Sequence, residues 1–180
     1  CAATVAEAER YAERVTWPDA LAELAFAKAE LARWGGDVAE TRRQLDVATT
    51  LLGDEAEHSY ILAMTHDTLG YVAEDLGEAR EHRAAAFAAA SEAGHAPLTA
   101  QMLVGIADLA LRQGDDEQAA RLLAASAGVR GLKDRSQPDV ARIEQSARSP
   151  PRRGGSIPGG PCGADARPGH AGRGVGPPRR

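Results

Sequence analysis

Histidines and paired acids are the side chains of this sequence that could support chemistry. Glu78 and His82 are separated by four residues and would share one face of a helix. A zinc site needs three or four converging ligands, yet the sequence contains no H-E-x-x-H motif and no cluster of cysteine and histidine. We therefore expect the histidines to lie on the surface or between helices, and we expect no metal site and no cofactor.

No residue stands in the sequence context of a nucleophile or a general acid. None of the serines belongs to a G-x-S-x-G motif. Asp115 and Asp116 follow Gly114, a position that suits the N-terminal end of a helix, where carboxylates favour the helix dipole. Capping explains this pair better than acid–base catalysis does. The sequence therefore predicts that the chain is not an enzyme.

Alanine dominates the composition and limits the fold class. The chain has 180 residues, of which 38 are alanine and only 4% are aromatic. Alanine is the best helix former and a poor strand former, so we predict an all-α fold. The two cysteines, Cys1 and Cys162, exclude a disulfide framework. The sequence has no run of 18 apolar residues and no signal peptide, and we expect a cytoplasmic protein.

The spacing of glycines reveals an internal repeat. Three glycine pairs share one separation of 17 residues: Gly36 and Gly53, Gly77 and Gly94, and Gly114 and Gly131. Glycine is favoured just past a helix end, and an acid follows the first glycine of each pair. Each interval therefore predicts a helix of about four turns that begins after a turn.

Three prolines locate the starts of further helices. Pro18, Pro97 and Pro138 are the only prolines before residue 149, and proline is tolerated in the first turn of a helix. Together with the glycines they predict three antiparallel helical hairpins and a terminal helix. The expected bounds are 18–53, 55–94, 96–131 and 137–148. A helix from Cys1 to about Val15 would be the second half of an earlier repeat, and we take the N-terminus as a cut.

Apolar residues recur at helical spacing along the body of the chain. In the first full helix, Leu24, Leu31 and Trp34 fall on one predicted face, and Trp17 precedes the helix. We expect both tryptophans to be core or staple residues. The first helix of each pair has two apolar sides, as it would if it packed both on its partner and on the next hairpin. The pattern predicts a serial stack of hairpins, an α-solenoid.

The repeat resembles the tetratricopeptide repeat. Its period is 41 and then 37 residues, near the roughly 34 residues of that repeat and the roughly 40–47 of larger helical repeats. Leu69-Gly70-Tyr71 is similar to the Leu-Gly core of the tetratricopeptide consensus. Thr41 and His82 depart from the alanine that the consensus prefers. Small residues occupy the positions at which such helices cross closely: Ala29, Gly70, Ala107, Ala48, Ala89 and Ser126.

Residues 55–148 resemble the C-terminal tetratricopeptide region of large actinobacterial transcriptional regulators. The segments that carry the resemblance are 101–115, 118–126 and 129–144. The family is that of the Streptomyces antibiotic regulatory proteins, with their bacterial transcriptional activator domain, and of related ATPase-containing activators. In this family the last helix usually continues with apolar residues, whereas here the chain changes composition at Ser149-Pro150.

The resemblance implies a sensor or docking arm of a regulator rather than its DNA reader. Such regulators carry a winged-helix region and often a nucleotide-binding domain, but no G-x-x-x-x-G-K-[ST] motif is present here. Residues 1–148 carry a net charge of −10, which phosphate backbones would repel. We expect another domain or a peptide segment as the partner, and no membrane. Tyr60, His66 and Gln101, on the first helices of the pairs, are the candidate groove residues.

The last 32 residues differ from the rest of the chain. Residues 149–180 hold nine glycines, seven prolines and six arginines and carry a net charge of +5. They have almost nothing to bury, so we expect a disordered tail. The composition favours a frame-disrupted tail, because GC-rich codons read in a wrong frame encode these residues. Two alternatives stay open: a stand-alone adaptor unrelated to transcription, and nucleic-acid binding through the tail.

Overall fold

The structure is a computed structural model that describes residues 2–12, 14–53 and 60–148. These residues form eight α-helices and no strand, so the predicted all-α fold class is confirmed. The tail 149–180 and the expected start of the second hairpin lie outside the described residues. The helices are α1 (Ala2–Ala12), α2 (Pro18–Gly35), α3 (Val38–Leu52), α4 (Tyr60–Val72), α5 (Leu76–Glu92), α6 (Ala96–Arg112), α7 (Asp116–Arg130) and α8 (Pro138–Arg148).

Prolines mark the beginning of three helices, as predicted. Pro18 and Pro138 are the first residues of α2 and α8, and Pro97 is the second residue of α6. Proline fits these positions because the first N–H groups of a helix have no carbonyl partner within the helix. The missing N–H of proline therefore costs no hydrogen bond.

Glycine and aspartate together form two of the turns between helices. Gly36 follows α2 with φ +78°, and Gly114 lies between α6 and α7 with φ +81°, a region that other residues rarely adopt. The next residue caps the following helix in each case. The side chain of Asp37 accepts a hydrogen bond from the N–H of Glu40, and Asp115 makes the equivalent bond at the start of α7. These short turns reverse the chain and make the helices antiparallel.

The middle hairpin turns at a different place from the one that the glycine spacing predicts. The predicted turn at Gly77 is wrong: α4 ends at Val72, and Gly77 is the second residue of α5. Asp75 caps α5, because its carboxylate accepts hydrogen bonds from the N–H groups of Gly77, at 2.6 Å, and Glu78, at 2.9 Å. Aspartate is a stronger N-cap than glycine, so the helix begins earlier than the spacing suggests.

The helices pack in a serial order. Within each hairpin the two helices pack against each other: α2 on α3, α4 on α5 and α6 on α7. The first helices also contact one another in sequence, α2 on α4, α4 on α6 and α6 on α8, and each second helix contacts the first helix of the next pair. Neighbouring hairpins therefore supply the contacts that a single hairpin lacks.

Small side chains fill the positions where helices cross. Ala29, Ala48 and Ala107, which the repeat places at close crossings, are fully buried. Ser126 is also buried, and its hydroxyl donates a hydrogen bond to the carbonyl oxygen of Ala100 at 2.7 Å. Close approach of the helices follows, because these side chains add little width between two backbones. The largest fully buried apolar side chains are Leu45, Ile61, Met102, Val104 and Ile143.

The prediction for the apolar face of α2 is wrong. Leu24 and Leu31 are only partly buried, and the helix buries three alanines. Trp17 and Trp34 are 65% and 46% exposed, so neither is a core residue. A tight helix crossing has room for alanine but not for an indole, and the larger side chains therefore lie at its edges. The buried alanines are Ala22, Ala25 and Ala29.

Candidate functional site

Arg83 of α5 reaches into the interface between α4 and α6. Its side chain is only 2% exposed. A Cβ atom at Gly70 of α4 would lie 2.7 Å from Arg83 Nε, and a Cβ at Gly105 of α6 would overlap both Arg83 and Asp67. No side chain larger than hydrogen fits at either glycine while Arg83 keeps this position. Two glycines inside helices thus open the gap that the guanidinium occupies.

Arg83 binds aspartates from both of these helices. Its Nη1 donates to a carboxylate oxygen of Asp67 and, at 2.6 Å, to the backbone carbonyl oxygen of the same residue. Its Nη2 lies 3.8 Å from Oδ2 of Asp108. Burial raises the pKa of Asp67 to about 7, although Arg83 opposes that change. Asp108 also accepts a hydrogen bond from Arg142 of α8 at 2.6 Å.

Ion pairs continue from Arg142 to Asp139 and Arg33, and they connect α2 of the first full hairpin with α8, the last described helix. Asp139 of α8 accepts hydrogen bonds from Arg142 at 2.9 Å and from Arg33 of α2 at 3.2 Å. Glu30 holds Arg33 in place through two hydrogen bonds, at 2.8 and 3.0 Å. Burial by itself lowers the pKa of Arg33, but Glu30 and Asp139 raise it above its ordinary value, so the guanidinium stays charged. Five of these side chains are at most 9% exposed, whereas Glu30 and Arg142 lie partly exposed at the rim. We call the whole set the buried ion network: Glu30, Arg33, Asp67, Arg83, Asp108, Asp139 and Arg142.

Tyr71 of α4 lies against two arginines of the buried ion network. The guanidinium carbon of Arg83 is 3.9 Å from the centre of the Tyr71 ring, and that of Arg33 is 4.4 Å away. Arg33 also lies 4.0 Å from the ring centre of Trp34. Burial raises the pKa of Tyr71 well above its usual range, so the phenol stays neutral. The buried Tyr71 hydroxyl has no hydrogen-bond partner among the described residues.

A channel lies over this network, along the first helices of the stack and the end of α7. Its narrow part is a cavity of about 260 Å³ whose walls include Glu30, Trp34, Tyr71 and Asp139. The wide part is a more open cavity of about 720 Å³. Gln101 and Arg130 line both parts, so the two cavities adjoin. The wide part is mostly apolar and is also lined by Tyr60, Met64, Pro97 and Leu98.

The structure brings two of the three candidate groove residues together. Tyr60 and Gln101 both line the wide part of the channel. The Tyr60 hydroxyl donates a hydrogen bond to Glu23 of α2 at 2.6 Å, and burial together with this bond raises the pKa of Tyr60 to about 12. His66 lines neither part. It lies on the side of α4 that faces α5, because its ring contacts His82 there.

His66 and His82 form a pair at the junction of α4 and α5. Their Nδ1 atoms are 3.1 Å apart, so one ring donates and the other accepts a hydrogen bond. Burial lowers the pKa of both histidines, and the proximity of His82 lowers that of His66 further. Glu78 opposes this change at His82, since its carboxylate lies 3.9 Å from Nε2. Three more charges act on His82 more weakly: Arg42, Glu81 and Arg83.

Sequence reasoning missed most of the charged site. Trp34 was expected to be a core or staple residue, and Arg33, Arg83 and Asp139 carried no motif. The available signal was a glycine within a helical pattern, at Gly105, which costs helix stability unless something packs closely against it.

The described part of the chain offers no metal centre. In residues 2–12, 14–53 and 60–148, no three side chains of the kind that bind metals are arranged to hold an ion. In the same segments, no helix has both the length and the apolar character needed to cross a membrane.

Comparisons of the chain with profiles of known protein families, with curated proteins and with solved structures find no match. The function proposed below therefore depends on the channel and on the sequence pattern.

Gly105→Ala should lower the free energy of unfolding by about 1–3 kcal/mol, because the added methyl group overlaps Asp67 and Arg83. Gly128→Ala is the matched control. Gly128 lies in α7 with open space around its Cα, so the same change should stabilise by about 0.5–1 kcal/mol. Urea unfolding followed by circular dichroism measures both effects. Equal stability of Gly105→Ala and the wild type would contradict the position of Arg83.

The histidine pair should make folding weaker under acidic conditions. Its folded pKa values are lowered, so the pair stabilises the fold above the ordinary histidine pKa of about 6.5, and this contribution is lost as the pH falls through the folded values. The double variant His66→Gln/His82→Gln should therefore lose less stability between pH 7 and 5 than the wild type does.

Urea midpoints across this pH range test the histidine prediction. Asp67, with its raised pKa, changes stability in the opposite direction but does so in every variant, so it cancels in the comparison. Identical pH profiles of the double variant and the wild type would refute the effect.

Proposed function

We propose that residues 1–148 are the protein-interaction and regulatory region of a bacterial transcriptional regulator. In this proposal the region works as a sensor or docking arm built from tetratricopeptide-like repeats. A segment of a partner protein, or of another domain of the regulator, binds in the channel between α2, α4, α6 and α8. The observation that carries the proposal is the channel itself, which is lined by residues of these first helices together with Arg130 of α7 and the turns before α6 and α8.

The composition of the channel favours a peptide as its occupant. One part exposes apolar and aromatic side chains, and the other exposes charged and polar ones. Tyr60 is 51% exposed and Trp34 is 46% exposed, although large aromatic side chains are usually buried in a single domain. Aromatic residues are enriched where proteins bind partners, because they supply much contact area with few rotatable bonds.

The charge distribution argues against DNA as the direct ligand of this region. Residues 1–148 carry a net charge of −10, and a protein binds DNA through cationic side chains that displace counterions. The arginines near the channel are already paired: Arg33 with Glu30, and Arg130 with Asp134 at 2.7 Å. We therefore assign DNA reading to another part of the regulator.

The arrangement of acids also argues against catalysis in this region. A general acid or base must reach its substrate, whereas the Asp67 carboxylate is bound by Arg83 and only 3% of its side chain is exposed. Asp139 is bound by Arg33 and Arg142 and is equally buried. These carboxylates hold helices together, and we propose no reaction for them.

Selection from a displayed library of random twelve-residue peptides against the full chain tests the docking proposal. We expect enriched peptides that bind the wild type, and Gln101→Arg should weaken their binding at least tenfold, because the longer side chain fills the channel where its two parts meet.

Gln118→Arg is the matched control, since Gln118 is exposed on α7 and lines neither part of the channel. Fluorescence anisotropy with the enriched peptides compares the three proteins. Failure to enrich any peptide, or equal binding by Gln101→Arg and Gln118→Arg, would argue against docking in the channel.

A further inference from the structure

The last described helix, α8, forms one side of the narrow part of the channel. Its first two residues, Pro138 and Asp139, line that cavity, and so do Ser136 and Gln137 just before the helix. The remaining walls come from α2, α4, α6, the end of α7 and the turn after it. Movement of α8 away from the stack would therefore open the narrow part on one side and leave its other walls in place.

Few apolar contacts hold α8 against its neighbours. Val140 and Ile143 are the buried apolar side chains of this helix, and both pack into the cluster that contains Val104 of α6 and Leu123 of α7. In all, α8 buries three of its 11 residues, whereas α6 buries nine of 17. Local opening needs the least free energy where few apolar side chains are buried, so α8 should detach more easily than the centre of the stack.

The packing of α8 on α7 is also incomplete. A mostly apolar cavity of about 270 Å³ lies between the two helices, with Leu123 and Ala127 on one side and Val140 and Ala147 on the other. Side chains that border a gap lose part of the attraction that close packing provides. In addition, Gln137 Oε1 is buried and has no hydrogen-bond partner among the described residues. Both features lower the free energy that is needed to move α8 away.

Ion pairs fix the position of α8 but contribute little to its attachment. Arg142 donates to Asp108 of α6 at 2.6 Å, and Asp139 accepts from Arg33 of α2 at 3.2 Å. Burying charges costs much of the free energy that their pairing returns, so such pairs are a weak source of stability. The Arg142 side chain is 45% exposed, and salt screens a charge in that position. The pairs therefore select one position of α8 without making the helix hard to remove.

Withdrawal of α8 leaves each charge of the buried ion network with a partner or in water. Arg33 keeps its two hydrogen bonds to Glu30, and Asp108 keeps Arg83 as a neighbour at 3.8 Å. The charges that α8 carries away pass into water. Displacing Arg83, by contrast, would leave the buried Asp67 carboxylate without its cation. The end of the stack can therefore open while its centre stays folded.

We propose that α8 is a gate of the channel. It detaches from α6 and α7 by local unfolding, as a rare excursion from the closed position that the ion pairs fix, and it thereby uncovers the narrow part while the three hairpins stay folded. The opening itself needs no partner, but its role as a gate rests on the proposed function.

Amide hydrogen exchange of the full chain, measured without any peptide, tests the opening independently of docking. After correction for intrinsic rates, amides of residues 142–145 should exchange about tenfold faster or more than amides in the middle of α4 and α6. Their exchange should also depend only weakly on urea, because local opening exposes little surface. Equal protection of α8 and α6, or an equally steep dependence on urea, would overturn the inference.

Two matched deletions of one methyl group test whether α8 opens by itself. Ile143→Val should raise the exchange of α8 by about two- to tenfold, because it removes a buried contact of the closed helix. Ile61→Val, in the cluster formed by α2, α3 and α4, is the control and should raise exchange in those helices while α8 stays unchanged. Faster exchange of α8 in Ile61→Val, or unchanged exchange of α8 in Ile143→Val, would contradict independent opening.

Thiol labelling tests whether the opening uncovers the narrow part. Thr68 of α4 lines the narrow part and is 2% exposed, so Thr68→Cys is placed in a chain that also carries Cys1→Ser and Cys162→Ser. Ile143→Val should raise the labelling rate of this thiol by the same factor as the exchange of α8.

Thr65→Cys is the matched control for labelling, because Thr65 is buried on the same helix but lines neither part of the channel. Its thiol should react only when the centre unfolds, and thus more slowly. A Thr68→Cys rate that Ile143→Val leaves unchanged would mean that the reagent enters without the gate. That result, or equal rates for the two cysteines, would overturn the inference.

Discussion

The guanidinium of Arg83, buried between α4 and α6, is the interaction on which the centre of the molecule depends. Removing an arginine and its partner aspartates from water costs several kcal/mol per ion, and only close, well-oriented pairing offsets that cost. Here Asp67 supplies the close pairing, and Asp108 lies 3.8 Å from Nη2 without a hydrogen bond. Gly70 and Gly105 supply the space. The relative position of α4 and α6 is therefore tied to one side chain from a third helix.

The buried ion network gives a thin, alanine-rich core a defined arrangement. Alanine interfaces let helices approach closely, but their small, uniform side chains distinguish poorly between alternative registers. Charged pairs favour one register of the packed helices over the others, because a shifted register would leave buried charges without partners. The pair of Arg33 and Asp139 extends the constraint from α2 to α8. The channel lies over these fixed charges, so its walls are held in place, and the docking that we propose would incur a smaller entropic cost.

Local signals in the sequence predicted most of the helices, whereas the contacts between distant residues could not be predicted from spacing. Pro18, Pro97 and Pro138 act within one turn of chain, so their positions could be predicted without the fold. Gly77 was misplaced because the competing cap at Asp75 is just as local but stronger. The buried ion network joins residues up to 106 positions apart, and no spacing rule brings such residues together. Of the candidate groove residues, Tyr60 and Gln101 line the channel, whereas His66, on the same helix as Tyr60, faces another way.

A double-mutant cycle between Arg83 and Asp67 tests the central claim most directly. The free energies of unfolding of Arg83→Met, Asp67→Asn, the double variant and the wild type are measured in urea. Arg83→Met should cost about 3–5 kcal/mol, because it leaves a buried carboxylate unpaired. The double variant should be more stable than the sum of the single losses predicts, with a coupling of about 2 kcal/mol. Additive losses, with no coupling beyond error, would contradict the account.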